Sequence, residues 1–295
     1  KVCDCAKRAS KLLPEGSSLW LSAKVNEAMS SALLGDLGPA GSLATLLCIL
    51  LEGGDVSGNV LAAGARAGAM LLRYHANPEL ASRLVRALGD AMPSCKDERA
   101  VGAVLASLAT HAITRGELED ALDFGMSAAA SLEAARDMRN ACMTRLNTGY
   151  TLMLLGQWAR AETQLANGLA LAERAGLRAL AALAHHNLGP TLANLDAVDR
   201  AEEHEREAIR AYAEQGDKRL LTASRYYLAR LLLARGKLDE ADAEMRRARD
   251  EAASIPSLAP LASAGLAFVL LASGRTAEAL QAARDVRPRL PRHAR

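Results

Sequence analysis

The chain has 295 residues, half of them hydrophobic but only 3% aromatic, and alanine and leucine dominate. This composition favours α-helix, and no β-branched runs flanked by turn residues indicate strands. A formal net charge of +2 excludes nucleic-acid binding through a general basic field, and the longest apolar run, residues 43–51, is too short to span a bilayer. Five cysteines, an odd number, argue against a disulfide framework and favour a reducing cytoplasm as the location.

The first predicted element, within residues 1–16, is the second helix of a repeat that begins upstream, followed by a linker at Pro14 and Gly16. A helical repeat domain is predicted over residues 17–287. The basic tail 288–295 contains two prolines that prevent further helix, so we expect it to be disordered.

Within the repeat domain, turns are predicted at intervals of 38 to 41 residues, near Gly35, Ala76, Gly116, Gly156, Asp196, Gly236 and Gly274. The residue five positions after each turn is always alanine, and the residue seven positions before is always alanine or glycine. Two antiparallel helices approach to about 8–10 Å only where small side chains cross. The pattern therefore predicts an all-α solenoid of about seven antiparallel helix pairs with a period of roughly 40 residues.

This spacing resembles the tetratricopeptide repeat, which has a small residue in its first helix, a turn glycine and an alanine in its second helix. Leucine stands at most of the family's aromatic positions, and the period is longer than usual. The resemblance implies a right-handed superhelix. The opening LPEGSSLW, followed by such an array, is similar to the C-terminal region of large bacterial signalling proteins. These join a serine/threonine kinase or a regulatory ATPase to the repeats, so we expect such a domain upstream of Lys1 in the same polypeptide.

No catalytic constellation is evident. The glycine-rich run 53–58 lacks a preceding strand and a GK[ST] ending, and no HRD motif occurs. Cys3 and Cys5 lack two further metal ligands at suitable spacing. His185 and its neighbour His186 point about 100° apart on a helix, and His204 lies in a charged stretch predicted to be solvated. We therefore predict no enzymatic activity, no metal and no cofactor in this chain.

By the same resemblance, the first helices line a concave groove, with the residues ten, six and three positions before each turn facing it. The predicted partner-binding residues are Leu146, Tyr150, Met153, His186, Asn187, Asn194, Tyr226 and Arg230. A mostly apolar surface with a few donors suits a peptide or a helix of another protein, and neither nucleic acid nor membrane is expected as a partner. The alternative that some of these side chains only pack between repeats stays open.

The sequence thus predicts a non-catalytic protein-interaction or regulatory module of a larger cytoplasmic signalling protein. The alternative is a ligand-sensing domain that binds a small peptide or metabolite and changes its superhelical conformation. A sensor should enclose its ligand in one deep pocket near Tyr150, His186 and Tyr226, whereas an interaction module should present an open trough.

Overall fold

A computed structural model describes residues 2–73, 77–253, 255 and 258–286, and these ranges contain no β-strand. Fifteen α-helices follow one another through short connections. The predicted all-α architecture of successive helix pairs is confirmed. By its internal contacts the chain divides into two units, Lys1–Leu155 and Gly156–Arg295.

Helices of the first unit pack as pairs, and the first helices of successive pairs also pack on one another. α1 packs against α2, as the second helix of a preceding pair would. The helices are α1 (Val2–Leu12), α2 (Ser18–Leu33), α3 (Gly38–Glu52), α4 (Gly58–Arg73), α5 (Pro78–Ala91), α6 (Glu98–Arg115), α7 (Leu118–Ala134) and α8 (Met138–Leu154).

In the second unit the pairs are α10 with α11, α12 with α13, and α14 with α15, while α10, α12 and α14 pack in sequence as one layer. The helices are α9 (Trp158–Arg174), α10 (Arg178–Ala193), α11 (Val198–Gln215), α12 (Lys218–Ala234), α13 (Leu238–Ala252), α14 (Ala259–Ala272) and α15 (Thr276–Val286). No described helix is both long and apolar enough to cross a membrane.

Six of the seven predicted turn residues adopt positive φ, which ends one helix and redirects the chain into the next. Five are glycines, which reach this left-handed region without steric cost; the sixth, Asp196, has φ 58°. The seventh, Ala76, lies outside the described residues, as does the predicted tail 288–295. A second series of positive-φ residues separates successive pairs at Gly54, Arg136, Gly176 and Gly216. The adjacent glycines 53 and 54 had indicated the first of these breaks, whereas the other three were not predicted.

The predicted helix crossings are buried. All seven alanines that follow the turns are at most 6% exposed, from Ala40 to Ala279. The small residues before the turns are buried in five pairs, and only Ala69 and Ala267 are partly exposed. Because no side chain beyond Cβ intervenes, the helices of a pair approach closely at these points and larger residues fill the space around them.

Candidate functional site

The predicted site residues of the first unit all lie on α8 but differ in exposure. Tyr150 is 44% exposed, and Met153 is partly exposed. Leu146 is fully buried, so it stabilises the core of the unit and offers no surface to a partner. For Leu146, therefore, the alternative that the side chain only packs between helices is the right one.

In the second unit the predicted residues come from α10 and α12, which pack against each other. Arg230 is exposed and Tyr226 partly exposed, with the guanidinium carbon 5.8 Å from the ring centroid. Tyr227, which the sequence reading missed, has its ring 5.6 Å from those of both Tyr226 and His186. These four side chains form a continuous row, the aromatic row, made of His186, Tyr227, Tyr226 and Arg230.

The two predicted asparagines differ in their surroundings. Asn187 is partly exposed beside His186 on α10. Asn194 is exposed and ends α10, where its Nδ2 donates to the carbonyl oxygen of Pro190 at 2.8 Å. Asn194 therefore satisfies a carbonyl of the last turn, a capping role in addition to any contact with a partner.

A further exposed surface lies on α14, where the sequence reading had named no site residue. Phe268 is 63% exposed and Leu271 is 55% exposed. They stand six and three positions before the turn at Gly274, so the register that selected Tyr150 and Met153 also selects them. Applying that rule to the last pair was enough to find them.

A buried polar cluster lies beneath the aromatic row, formed by Glu205, His186, Ser224 and Tyr212. His186 Nδ1 lies 2.8 Å from Ser224 Oγ and 3.6 Å from Glu205 Oε2. Glu205, Ser224 and Tyr212 are at most 1% exposed. Among the described residues, no atom forms a hydrogen bond with either carboxylate oxygen of Glu205 or with the Tyr212 hydroxyl.

Glu205 stands at a core position of the repeat, four residues after the crossing alanine Ala201. The same position holds Val85, Leu165 and Met245 in other pairs, all of them buried. On α10, Gly189 makes room for the carboxyl group, because a Cβ there would lie 2.6 Å from Glu205 Cγ. The sequence reading attributed Gly189 to the tight crossing alone.

Burial sets the protonation of this cluster. It raises the pKa of Glu205, and the neighbouring His186 and Ser224 offset this only in part. Burial also raises the pKa of the Tyr212 hydroxyl, with smaller contributions from the charges of Asp217 and Glu205. Burial therefore shifts both groups towards their neutral forms.

His185 and His204 form a second pair between α10 and α11. Their Nδ1 atoms lie 2.7 Å apart, and both rings are only partly exposed. Burial lowers the pKa of both imidazoles. The reading of His204 as part of a solvated face was therefore wrong, because α10 covers it. In the part of the chain that the structure describes, no three His, Cys, Asp or Glu side chains converge on a metal position.

Comparison with known proteins finds a family model that matches part of the chain. A model of the tetratricopeptide repeat matches residues 222–247 and 260–285. These two segments are tetratricopeptide repeats. They coincide with parts of the pairs α12/α13 and α14/α15. No curated protein sequence matches the chain.

Solved structures extend the likeness to the whole chain at the level of the fold. A Signal Transduction ATPase with Numerous Domains from Pyrococcus horikoshii, which has a tetratricopeptide repeat sensor, aligns with 97% of this chain at 17% identity and a TM-score of 0.75. The alignment spans 45% of that ATPase. A Rap protein complexed with Competence and Sporulation Factor aligns over 97% of this chain and 92% of its own, at 14% identity and a TM-score of 0.63. The predicted tetratricopeptide architecture is confirmed.

Proposed function

We propose that the chain is a non-catalytic interaction module that binds a peptide segment or a helix of another protein on the layer formed by α10, α12 and α14. The observation that carries the proposal is the aromatic row, continued by the exposed Phe268 and Leu271. Exposed aromatic side chains beside an arginine are typical of residues that contribute most to binding energy. Large exposed apolar side chains on neighbouring helices are otherwise a liability for a free protein.

Charge on this layer indicates the chemistry of the partner. Together α10, α12 and α14 contain five Lys or Arg residues and no Asp or Glu, whereas α11 and α13 contain six carboxylates each. Arg225 is engaged with Glu244 and Glu251 on α13. Arg230, by contrast, forms no ion pair with any described residue. A segment with apolar anchors and an acidic group complements this surface.

Two of the structurally similar proteins support the proposal by what they bind or are joined to. The Rap structure is a complex with Competence and Sporulation Factor, and the Pyrococcus protein joins a tetratricopeptide sensor to an ATPase. By analogy we propose that this chain serves a larger cytoplasmic signalling protein with an ATPase or kinase domain upstream. The reading frame before Lys1 tests that part directly; an uninterrupted frame without such a domain contradicts it.

Peptide selection tests the binding surface. A displayed library of random 12-residue peptides is panned on the chain, and enriched peptides are synthesised and titrated. We expect them to combine aromatic or aliphatic residues with Asp or Glu. Arg230→Ala and Phe268→Ala should each weaken binding about tenfold, or about 1.4 kcal/mol.

Leu280→Ala is the matched control, because Leu280 is 52% exposed but lies on the second helix α15. It should leave the affinity unchanged. Enrichment of no peptide, or of peptides whose affinity neither Arg230→Ala nor Phe268→Ala alters, contradicts the proposed surface.

A further inference from the structure

The fold gives no reason for a carboxylic acid at residue 205. Equivalent core positions hold Leu165 and Met245, and an aliphatic side chain there packs without an electrostatic penalty. Glu205 is 0% exposed and, within the described part of the chain, both of its oxygens lack hydrogen-bond partners. Buried polar groups without partners are rare in proteins and call for an explanation in each case.

The nearest ionisable group is the imidazole of His186, whose Nδ1 faces both Ser224 Oγ at 2.8 Å and Glu205 Oε2 at 3.6 Å. One ring nitrogen bonds one of these partners at a time. Without a proton, Nδ1 accepts from the Ser224 hydroxyl; with a proton, it donates to the Glu205 carboxylate. Transfer of one proton from the Glu205 carboxyl oxygen to Nδ1 therefore converts a neutral pair into a carboxylate and an imidazolium and changes the bond that orients the ring.

Several other titratable groups on the helices packed around this pair are engaged elsewhere. Glu162 on α9 pairs with Arg200, and His185 on α10 lies against His204. On α12, Arg225 is engaged by two carboxylates of α13. The Tyr212 hydroxyl on α11 stays neutral because burial raises its pKa.

His186 connects the pair with the proposed partner surface. Its side chain is 12% exposed, and its ring meets the buried ring of Tyr212 edge-on at 6.3 Å and that of Tyr227 at 5.6 Å. A change in ring orientation at His186 is therefore transmitted to the aromatic row.

We propose that Glu205 and His186 form a buried carboxyl–imidazole pair that holds one titratable proton, and that Glu205 is a positioning residue that sets the orientation and charge of His186 in the aromatic row. Glu205 itself is inaccessible and touches no partner. The link to partner binding rests on the proposed function, whereas the shared proton does not. Burial raises the pKa of Glu205, which agrees with a carboxyl group that keeps its proton to a higher pH than an exposed one.

Infrared difference spectroscopy of the full chain tests the proton directly. Protonated carboxyl groups have a C=O stretching band that carboxylates lack. We expect the parent to keep such a band at pH values at which ordinary carboxyl groups have lost it, and to lose the band as the pH rises further, with the environment of the His186 ring, followed by NMR, changing as the band is lost. In Glu205→Gln the band should be absent, and the change in the His186 ring resonances that accompanies its loss in the parent should be absent as well.

Glu205→Met, which places the residue of the equivalent position 245 at this site, is a second variant that should lack the band while packing as other pairs do. A parent that loses the band in the same pH range as ordinary carboxyl groups, or a band that persists unchanged in both variants, overturns the shared proton. His186→Gln should keep the band but move its midpoint, because the carboxyl loses its proton acceptor.

The link to binding is tested with a selected peptide titrated across the same pH range. The parent's affinity should change about five-fold or more around the infrared midpoint, and that of Glu205→Gln should not. Parallel pH profiles for the two proteins, with the band present, overturn the positioning role of Glu205. Failure to select any peptide refutes the proposed function instead, and the infrared and NMR results still decide the shared proton.

Discussion

Two carboxylates one turn apart on α11, Glu202 and Glu205, are both buried but differ in the charged groups around them. Glu202 is 8% exposed and receives Arg206 at 2.7 Å, Arg235 at 2.7 Å and Lys237 at 3.3 Å. Glu205 is 0% exposed, no Lys or Arg among the described residues forms an ion pair with it, and the His186 imidazole lies 3.6 Å away. Among the described residues, Glu202 is thus paired with Lys and Arg side chains, whereas Glu205 is not.

The difference shows in the pKa directions. At Glu202 burial alone would raise the pKa, but hydrogen bonds from Arg206 and Lys237 outweigh it and lower the pKa below 4.5. At Glu205 burial prevails and the pKa rises above 4.5. Glu202 ties α11 to the turn between α12 and α13 and has a structural role. Glu205 serves no comparable contact, which is typical of a residue retained for a purpose other than stability.

Removing Glu202 should have the largest effect on stability. Glu202→Met leaves Arg235 and Lys237 without their shared acceptor, and truncating one partner of a buried ion pair costs about 3–5 kcal/mol. Because the Arg235 and Lys237 side chains are 33% and 35% exposed, water compensates part of the loss and we expect about 2–3 kcal/mol. Chemical denaturation monitored by far-UV circular dichroism measures this. An unchanged denaturation midpoint would show that the cation cluster is not structural.

A smaller effect is expected at Gly189, which faces the other carboxylate. A methyl group there would collide with the Glu205 side chain, so Gly189→Ala should destabilise by about 1–2 kcal/mol, although alanine normally favours a helix interior. In a Glu205→Ala background the same substitution should become stabilising, since the obstacle is gone. A double-mutant cycle by thermal melting checks this reversal of sign. Equal effects of Gly189→Ala in both backgrounds contradict the packing described for Glu205.

Much of the fold was predictable from the sequence because glycine and alanine mark backbone constraints. Few residue types can occupy a left-handed turn position or a close helix crossing. The residue types of Gly116 and Gly236 therefore predict turns, and that of Ala241 predicts a crossing. Most turns between pairs were missed, and Arg136 shows why: its φ of 55° lies in a region that its residue type does not favour.

The site was less predictable. Glu205 lies in the charged run 202–207, which local composition assigns to solvent, and only its register with Leu165 and Met245 places it in the core. The same register could have identified Phe268. Leu146 was assigned to the groove by position, yet packing buries it completely. Whether a side chain on a groove-forming helix faces a partner or the next helix depends on tertiary contacts that a single sequence does not contain.

The two carboxylates should also give stability opposite dependences on pH. A group whose pKa is lowered on folding, as at Glu202, stabilises above its unfolded value of 4.5, and this contribution is lost as the pH falls. A group whose pKa is raised, as at Glu205, contributes stability that is complete below 4.5 and is lost as the pH rises through the folded value.

The most direct test is therefore the pH dependence of unfolding for the parent, Glu205→Gln and Glu202→Gln. All three carry Trp20→Phe, so that the fluorescence of Trp158 reports on the second unit alone. Urea midpoints are measured between pH 4 and pH 8. We predict that the parent loses stability relative to Glu205→Gln as the pH rises, and relative to Glu202→Gln as the pH falls towards 4. A constant difference between the parent and Glu205→Gln over this whole range would contradict the account of Glu205 as a buried, proton-holding carboxyl.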